Sequence, residues 1–234
     1  MKAVILSAGR GKRLESLTNS VPKAMILINN KPMLQILIEQ LKSVNVTDIC
    51  IVVHYLKDKL IDYFKDGKQF GVNITYAEQT ELAGNADALL KTEQFIKENR
   101  FFCIACDSLF ETSLLNRLLN HKSPGVFTCK KVENPTRYGI LVTESNKVKK
   151  IVEKPDVPPT NLANFSVWIF PKEIFDACKK IEKSRTGEYW VTDAIQLLIN
   201  NGFDFEYEIS KHIIDIGTKE QLEDAQKLAK QLKL

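Results

Sequence analysis

Residues 3–14 read AVILSAGRGKRL, and this stretch decides the fold. Its apolar start predicts a buried strand over Lys2–Ser7, after which Gly9 and Gly11 follow closely. Glycine permits a tight turn and leaves backbone N–H groups uncovered, so the stretch predicts a strand followed by a phosphate-binding turn. The turn also carries three cationic side chains, Arg10, Lys12 and Arg13. A Gly-x-Gly turn alone is equally typical of a simple strand-to-helix connection.

Two familiar phosphate-binding motifs do not fit this turn. The dinucleotide fingerprint requires a third glycine where Leu14 stands. The P-loop requires four residues between its glycines and a Gly-Lys-Ser or Gly-Lys-Thr ending. The pattern therefore disfavours a nicotinamide-dependent dehydrogenase and a P-loop NTPase.

Short apolar runs alternate with amphipathic segments through the first half of the chain. Buried strands are predicted over Lys2–Ser7, Asp48–Val53, Val72–Tyr76 and Phe101–Cys106. Helical spacing of apolar residues predicts helices over Met33–Val44, Lys57–Phe64 and Ala86–Lys97. Alternation of strand and helix predicts an α/β fold with a doubly wound, mostly parallel sheet.

The second half of the chain does not continue this regular alternation of strand and helix. Tyr138–Thr143 and Lys147–Val152 flank a polar turn, so they predict a hairpin that would make the sheet mixed. A further strand is predicted at Asn164–Phe170, and helices at Pro171–Ile181, Val191–Ile199 and Lys219–Leu232. Thr218 and Gln221 form a capping box at the start of the last helix. No Pro/Gly/Ser linker interrupts the sequence, so we expect residues 1–234 to form a single domain.

Composition excludes several protein classes. With 44% hydrophobic and 26% charged residues, 10 glycines and 8 prolines, the chain of 234 residues is typical of a globular protein. No apolar run approaches the length of a membrane span, and a net charge of +4 does not indicate a nucleic-acid partner. The five cysteines lack paired spacing and predict reduced thiols, so we expect a cytoplasmic protein.

Two aspartates follow predicted strands and could share a metal ion. Asp107 comes directly after the strand Phe101–Cys106, and Asp215 ends a short apolar run before the last helix. The carboxyl ends of strands in an open α/β sheet are where ligands bind. Mg²⁺ accepts one or two protein carboxylates and completes its shell with phosphate and water. Taken singly, each aspartate is more typical of a turn or a helix cap.

The order of motifs along nearly the whole chain resembles the sugar-1-phosphate nucleotidyltransferase family, in particular its glucose-1-phosphate uridylyl- and thymidylyltransferases. The N-terminal signature comprises Leu6–Leu14, Leu17–Thr18, Pro22–Met25 and Lys31–Met33. Further matches follow in order at Gln79, Leu82–Leu89, Cys106–Ser108, Arg137–Gly139, Glu153–Pro155, Gly187–Tyr189, Thr192–Asp193 and Asp215–Thr218. We expect no C-terminal left-handed β-helix of the kind that many members carry.

The resemblance implies a Rossmann-like nucleotide-diphospho-sugar transferase fold and a specific reaction. A sugar 1-phosphate would attack the α-phosphorus of UTP or dTTP, with a hexose or amino sugar as acceptor and Mg²⁺ as cofactor. The nucleotide would bind to about residues 1–110 and the sugar phosphate to about residues 111–234. Such displacement of one phosphate ester by another depends on positioning and on neutralised charge.

By the same resemblance, individual residues receive roles. The implied catalytic residues are Arg13, Lys23 and Asp107. The implied nucleotide-binding residues are Leu6, Ala8, Gly9, Gly11, Arg13, Gln79, Gly84 and Asp107. The implied substrate-binding residues are Tyr138, Gly139, Glu153, Lys154, Asn164, Glu188 and Asp215, and the implied metal ligands are Asp107 and Asp215. For Lys154 a solvated hairpin edge is an equally good interpretation, and for Lys147, Lys149 and Lys150 it is the better one.

Several alternatives stay open at this point. The amide of Gln79 matches the imide edge of uracil or thymine, but turned over it would suit cytosine, so CTP remains a candidate. GTP also stays open as the nucleotide. The acceptor could be phosphocholine or a polyol phosphate. A catalytically silent regulatory subunit that binds a nucleotide-sugar would share the fold. Exposed edge strands in the second half would permit a homo-oligomer.

Overall fold

The computed structural model describes the backbone of residues 1–234 and every side chain except those of Lys12, Glu15 and Ser16. The strands are β1 (Ala3–Leu6), β2 (Leu27–Ile28), β3 (Lys31–Pro32), β4 (Asp48–Val53), β5 (Asn73–Glu78), β6 (Arg100–Ala105), β7 (Ser108–Phe110), β8 (Gly125–Lys131), β9 (Gly139–Glu144), β10 (Lys147–Glu153), β11 (Leu162–Pro171), β12 (Phe205–Ile209) and β13 (Ile213–Asp215). The helices are α1 (Met33–Ser43), α2 (Lys57–Phe64), α3 (Asn85–Leu90), α4 (Ser113–Asn120), α5 (Ile174–Cys178), α6 (Val191–Asn200) and α7 (Lys219–Leu232).

Across the described backbone, nine strands form one mixed sheet in the order β5-β4-β1-β6-β11-β8-β12-β10-β9. The four strands from β5 to β6 are parallel to one another, and β11 runs antiparallel to β6 and β8. The two remaining pairs of strands, β13 with β7 and β2 with β3, form short ribbons beside it. The predicted α/β fold with a mixed sheet is confirmed.

Helices cover both faces of the sheet. Apolar side chains of α1, α2 and α4 pack on one face, beside Ala3 and Ile5 of β1. Those of α3, α5 and α6 pack on the opposite face, where Val4 points. This alternation explains why β1 is apolar at every position. Among the helices that the structure describes, none is long and apolar enough to traverse a lipid bilayer.

Two predicted helices have different bounds in the structure. The segment Ala86–Lys97 is helical only to Leu90, because the Thr92 hydroxyl and amide both bond to the carbonyl of Leu89 and tighten the chain into turns. Pro171 does not open a helix; it is the last residue of β11, opposite Arg100 of β6. A proline at a strand end removes no donor that the sheet needs there, and the helix begins at Ile174.

The predicted hairpin forms, and it closes part of the sheet. Strands β9 and β10 pair across the turn at Ser145 and Asn146, and β9 also pairs with β11 between Ile140 and Ala163. The second half therefore presents less free edge than the sequence led us to expect. The free edge of the parallel half is β5, which pairs only with β4 among the described strands.

A charged cluster joins α4 to β12 on the surface of the second half. Nδ1 of His121 lies 2.6 Å from Glu206, and its Nε2 lies 3.1 Å from Glu208. Arg117 bridges Glu208 and Glu111 at 2.7 and 2.8 Å. Partial burial would lower the pKa of His121, but the two glutamates outweigh it and raise the pKa above its usual value of 6.5.

We expect His121→Gln to lower the free energy of unfolding by about 1 kcal/mol near pH 6 and by much less near pH 9.5. Because the pKa of His121 is higher in the folded chain than in the unfolded one, the charged imidazole contributes its full stabilisation of the fold at pH values below the unfolded pKa. That stabilisation is lost as the pH rises through the folded value. Urea denaturation of both proteins at the two pH values measures it, and a loss of equal size at both would contradict this electrostatic account.

Candidate active site

The carboxyl ends of the four parallel strands place several of the predicted residues along one edge. Gln79 follows β5, His54 follows β4, the glycine turn follows β1, and Asp107 lies just beyond β6. Neighbouring strands lie about 4.8 Å apart, so this row covers on the order of 14 Å. The edge is thus long enough to hold an extended nucleotide.

The ribbon of β7 and β13 brings the two aspartates together. Asp215 lies opposite Ser108 in the antiparallel register, and the amide of Ile216 donates to the carbonyl of Asp107 at 2.9 Å. The Ser108 hydroxyl donates to Oδ1 of Asp215 at 2.7 Å. The ribbon therefore places Asp107 and Asp215 side by side, although Ser108 and Asp215 are 107 positions apart along the chain.

Lys23 is the cation of this group. Its Nζ forms an ion pair and a hydrogen bond with Oδ2 of Asp107. Burial alone would lower the pKa of Lys23, but Asp107, with help from Asp215, raises it above the usual value. Burial and the charge of Asp107 raise the pKa of Asp215 to about 7, against the opposing effects of Ser108 and Lys23. The site therefore concentrates negative charge that one lysine only partly balances.

The glycine turn packs tightly against Lys23 and opens toward solvent at Gly9. Gly11 has φ of 68°, and a Cβ there would lie 3.2 Å from both Lys23 and Thr18. At Gly9 a Cβ would meet no atom within 4 Å, so its backbone is open to a ligand. Beside it, Ala8 is 4% exposed, and Leu6 is partly buried against the core. The Lys12 side chain lies outside the described residues.

Cationic side chains of the turn are held by distant parts of the chain. The Arg10 guanidinium lies over the ring of Tyr55 at 5.0 Å, and the Tyr55 hydroxyl donates to the carbonyl of Asn19 at 2.9 Å. The Arg13 guanidinium lies against Gly217, where a Cβ would approach Nη2 to 3.0 Å. Gly217 thus leaves room for Arg13 just before α7.

Gln79 is buried in the segment that precedes α3. The residue is 2% exposed, and its Nε2 donates to the carbonyl of Gly84 and to Asp87. Gly84 has φ of 108°, and a Cβ there would lie 2.4 Å from the carbonyl oxygen of Tyr189. The backbones of these two segments therefore touch, and hydrogen bonds from Tyr189 to Ala83 and from Ala86 to Tyr189 join them.

A second group of predicted residues meets around Gly139 at the start of β9. A Cβ on Gly139 would lie 3.0 Å from Glu153, 3.5 Å from Thr192 and 3.8 Å from Asn164. The Thr192 hydroxyl is buried and has no hydrogen-bond partner among the described residues. Oδ1 of Asn164 accepts a hydrogen bond from Trp168 at 2.8 Å, which fixes its amide.

Lys154 and Glu188 extend this group. Lys154 lies 3.2 Å from Glu153 and 5.6 Å from the centre of the Trp190 ring, whose Nε1 is 3.4 Å from Glu188. Lys147 and Lys149 instead pair with surface carboxylates at 2.8 and 3.1 Å. Lys154 is as exposed as these two lysines, but it differs from them in its contacts with Glu153 and the Trp190 ring.

Tyr138 connects the two groups. Its backbone carbonyl accepts from Lys154 at 3.0 Å, and burial together with the Asp215 carboxylate raises the pKa of its hydroxyl. Tyr138 thus links the group around Gly139 to the paired aspartates.

Comparisons with known proteins show the family. A family model described as nucleotidyl transferase matches residues 2–231. This chain is a member of the nucleotidyl transferase family. The resemblance seen in the sequence motifs is confirmed.

The relatives of this nucleotidyl transferase include two proteins of Haloferax volcanii. The UTP–glucose-1-phosphate uridylyltransferase AglF is 35% identical over 97% of this chain and 95% of its own length. The low-salt glycan biosynthesis nucleotidyltransferase Agl11 is 34% identical, and the chain spans 66% of its length. A crystal structure assigned to a Bacillus anthracis glucose-1-phosphate thymidylyltransferase superposes with a TM-score of 0.87, at 28% identity over 98% of this chain and 95% of that one.

Sequence reasoning missed several contacts of this nucleotidyl transferase. It quoted Ser108 and Asp87 within motifs but assigned neither a role, and Tyr55 went unnoticed. Trp190, which lies beside the Gly187–Tyr189 motif, is half-buried beneath Lys154. The position of Ser108 directly after Asp107 is the one signal that could have indicated its contact with Asp215.

Because Gly84 packs on the backbone of Tyr189, we expect one added methyl group at residue 84 to lower the stability of the fold strongly. We expect Gly84→Ala to lower the free energy of unfolding by more than about 3 kcal/mol, because a positive φ and a clash with backbone combine. Gly202→Ala is the matched control, since Gly202 has φ of 86° but no atom within 4 Å of its Cβ position. The control is expected to cost only about 1 kcal/mol. Chemical denaturation of the two variants measures the difference, and equal losses would refute the clash.

Proposed function

We propose that this nucleotidyl transferase joins a nucleoside triphosphate and a sugar 1-phosphate into a nucleotide-sugar, with release of pyrophosphate. The nucleotide would be UTP or dTTP, and the sugar a hexose or an amino sugar. The observation that carries the proposal is the convergence of Lys23, Asp107 and Asp215 beside the glycine turn. The names of AglF and of the Bacillus anthracis structure support the choice of substrates.

The nucleotide would lie along the edge formed by residues 1–110. Backbone groups at Gly9 and Gly11 would face the triphosphate, with Leu6 and Ala8 beneath it and Gln79 and Gly84 at the base. Arg13 would contact the β- and γ-phosphates that leave as pyrophosphate. These placements follow the row of strand ends and the open backbone at Gly9.

A divalent cation fits the pair of aspartates. Burial and, after it, the charge of Asp107 raise the pKa of Asp215. A cation bound between the two carboxylates would offset both effects. The described residues hold no group of three or more His, Cys, Asp or Glu side chains suited to a metal. Two oxygen ligands suit Mg²⁺, which keeps water and phosphate in its shell, and when bound it would neutralise phosphate charge.

The proposed reaction is one displacement at phosphorus. An oxygen of the sugar phosphate attacks the α-phosphorus, and the bond from that phosphorus to the bridging oxygen of the β-phosphate breaks. Both reactants are anions, so the protein must offset their repulsion. Lys23 would neutralise charge that grows on the α-phosphate, and Arg13 would stabilise the departing pyrophosphate.

The sugar phosphate would bind to residues 111–234, around Gly139. Lys154 would face its phosphate, while Glu153, Asn164 and Glu188 would bond to its hydroxyls, with Tyr138 and Asp215 at the boundary to the nucleotide. Five buried free cysteines favour a reducing compartment, which supports the cytoplasm as the site of the reaction. A homo-oligomer stays a prediction, and no nucleic acid is expected as a partner.

A pyrophosphate-release assay tests the proposal. The four ribonucleoside triphosphates and dTTP would be combined with a panel of hexose and amino-sugar 1-phosphates, phosphocholine and a polyol phosphate. We expect release with UTP or dTTP and a sugar 1-phosphate, and none after chelation of divalent cations. Binding of a nucleotide-sugar without release from any pair would instead indicate a silent regulatory protein.

Removal of Lys23 or Asp107 is expected to stop the reaction without unfolding the chain. Lys23→Ala and Asp107→Asn should each lower kcat by about a thousandfold or more, because both act where charge develops on the phosphate. The exposed pair of Lys227 and Asp224 on α7, 2.9 Å apart, provides matched controls. Lys227→Ala and Asp224→Asn should keep wild-type kcat, and a comparable loss in these variants would point to a general loss of structure.

Lys154 provides a separate test of the sugar-phosphate site. We expect Lys154→Met to raise the KM for the sugar phosphate by about tenfold or more, because one cation opposite a phosphate is lost. The KM for the nucleotide should change little. Lys149→Met, which removes a cation from the exposed side of β10, is the control and should change neither constant.

A further inference from the structure

The amide of Gln79 is held in one orientation by two acceptors. Its Nε2 donates to the carbonyl of Gly84 and to Oδ2 of Asp87, both at 2.9 Å. If the amide were turned over, Oε1 would face a carbonyl and a carboxylate, neither of which can donate. The orientation that the sequence left open is therefore set by Asp87 and Gly84.

Asp87 is itself fixed by a second contact. Its other oxygen, Oδ1, lies 2.9 Å from Nζ of Lys91 one helical turn further along. The two carboxylate oxygens therefore have different partners, with Lys91 on one side and Gln79 on the other. Oδ2 of Asp87, which faces the Gln79 amide, can therefore only accept a hydrogen bond.

The remaining polar atom of the Gln79 side chain, Oε1, has no hydrogen-bond partner among the described residues. No donor in the described part of the chain reaches Oε1, although the residue is 2% exposed. Unlike the hydroxyl of Thr192, Oε1 of Gln79 is not fully buried, so a donor on a ligand can reach it. Gln79 also stands at the strand edge, two strands from the glycine turn and three from Asp107.

We propose that Asp87 is the positioning residue that selects the base, because it leaves Gln79 able only to accept. This inference rests on the proposed function, which places the base beside Gln79. Uracil and thymine present N3–H to such an acceptor, and guanine presents N1–H. Cytosine N3 and adenine N1 are acceptors, so each would place its lone pair against a lone pair of Oε1 and the two atoms would repel.

The first test uses the wild-type protein and four probes: UTP, 5-methyl-UTP, 3-methyl-UTP and CTP. Calorimetry measures their binding and pyrophosphate release measures kcat/KM. We expect UTP and 5-methyl-UTP to behave alike, and 3-methyl-UTP and CTP to be weaker by about tenfold or more, since each leaves Oε1 without a donor. Equal use of UTP and CTP, or of UTP and 3-methyl-UTP, would overturn the proposal.

The second test changes residue 87. Asp87→Asn supplies an NH₂ group that can donate to Oε1, so the amide of Gln79 is free to turn. We expect the ratio of kcat/KM for UTP over CTP to fall by about tenfold, with a smaller change in kcat for UTP. Lys91→Gln breaks the same ion pair but leaves the Asp87 acceptor in place, so the UTP preference should stay within about threefold of wild type.

Asp66→Asn is the matched control for the substitution itself. Asp66 pairs with Lys68 at 2.9 Å on the exposed surface away from the site, and we expect this variant to keep both activity and base preference. If Asp87→Asn folds and keeps the wild-type preference for UTP, the role of Asp87 is refuted and the proposed function is not. No pyrophosphate release from the wild type would instead refute the proposed function, and the binding arm would still compare the bases.

Discussion

The site depends on holding two carboxylates close together in a partly buried place. Burial and the charge of Asp107 make the ionisation of Asp215 costly and raise its pKa to about 7. Lys23 and the Ser108 hydroxyl reduce that cost but do not remove it. A folded chain that keeps such repulsion does so because backbone pairing imposes it, and here the imposing element is the ribbon of β7 and β13.

This constraint explains why the chain crosses back over its own fold. Asp107 comes just after β6, the last of the four parallel strands. Asp215 is the last residue of β13, near the end of the chain and just before α7. The two halves are also joined at Gly84 and Tyr189, where backbone packs directly on backbone. Both junctions tie the strand edge beside Gly9 to the region around Gly139. In the proposed function, these two junctions would hold the nucleotide and the sugar phosphate in line at one phosphorus.

Sequence reasoning succeeded where local pattern and tertiary structure agree. The parallel strands β1, β4 and β6 are apolar on both faces, so the apolar runs in the sequence predict where these strands begin and end to within about two residues. The strands β7 and β13 span three residues each and carry no such pattern, although they align the aspartates. α3 ends early because Thr92 bonds back to Leu89, which spacing of apolar residues does not reveal. Contacts such as Asp87 with Gln79 depend on a loop geometry that only the folded chain defines.

In the proposed function, the two ends of the nucleotide pose different physical problems, and different kinds of residue would recognise them. Phosphates are recognised by charge, which acts over distance and tolerates imprecise placement, so Arg10 and Arg13 can lie on an exposed turn. A base is recognised by the direction of single hydrogen bonds, which an amide that could rotate would not define. Recognition of the base therefore requires a fixed amide, and fixing it requires groups buried behind it. That requirement accounts for a buried glutamine whose donors are both used within the protein.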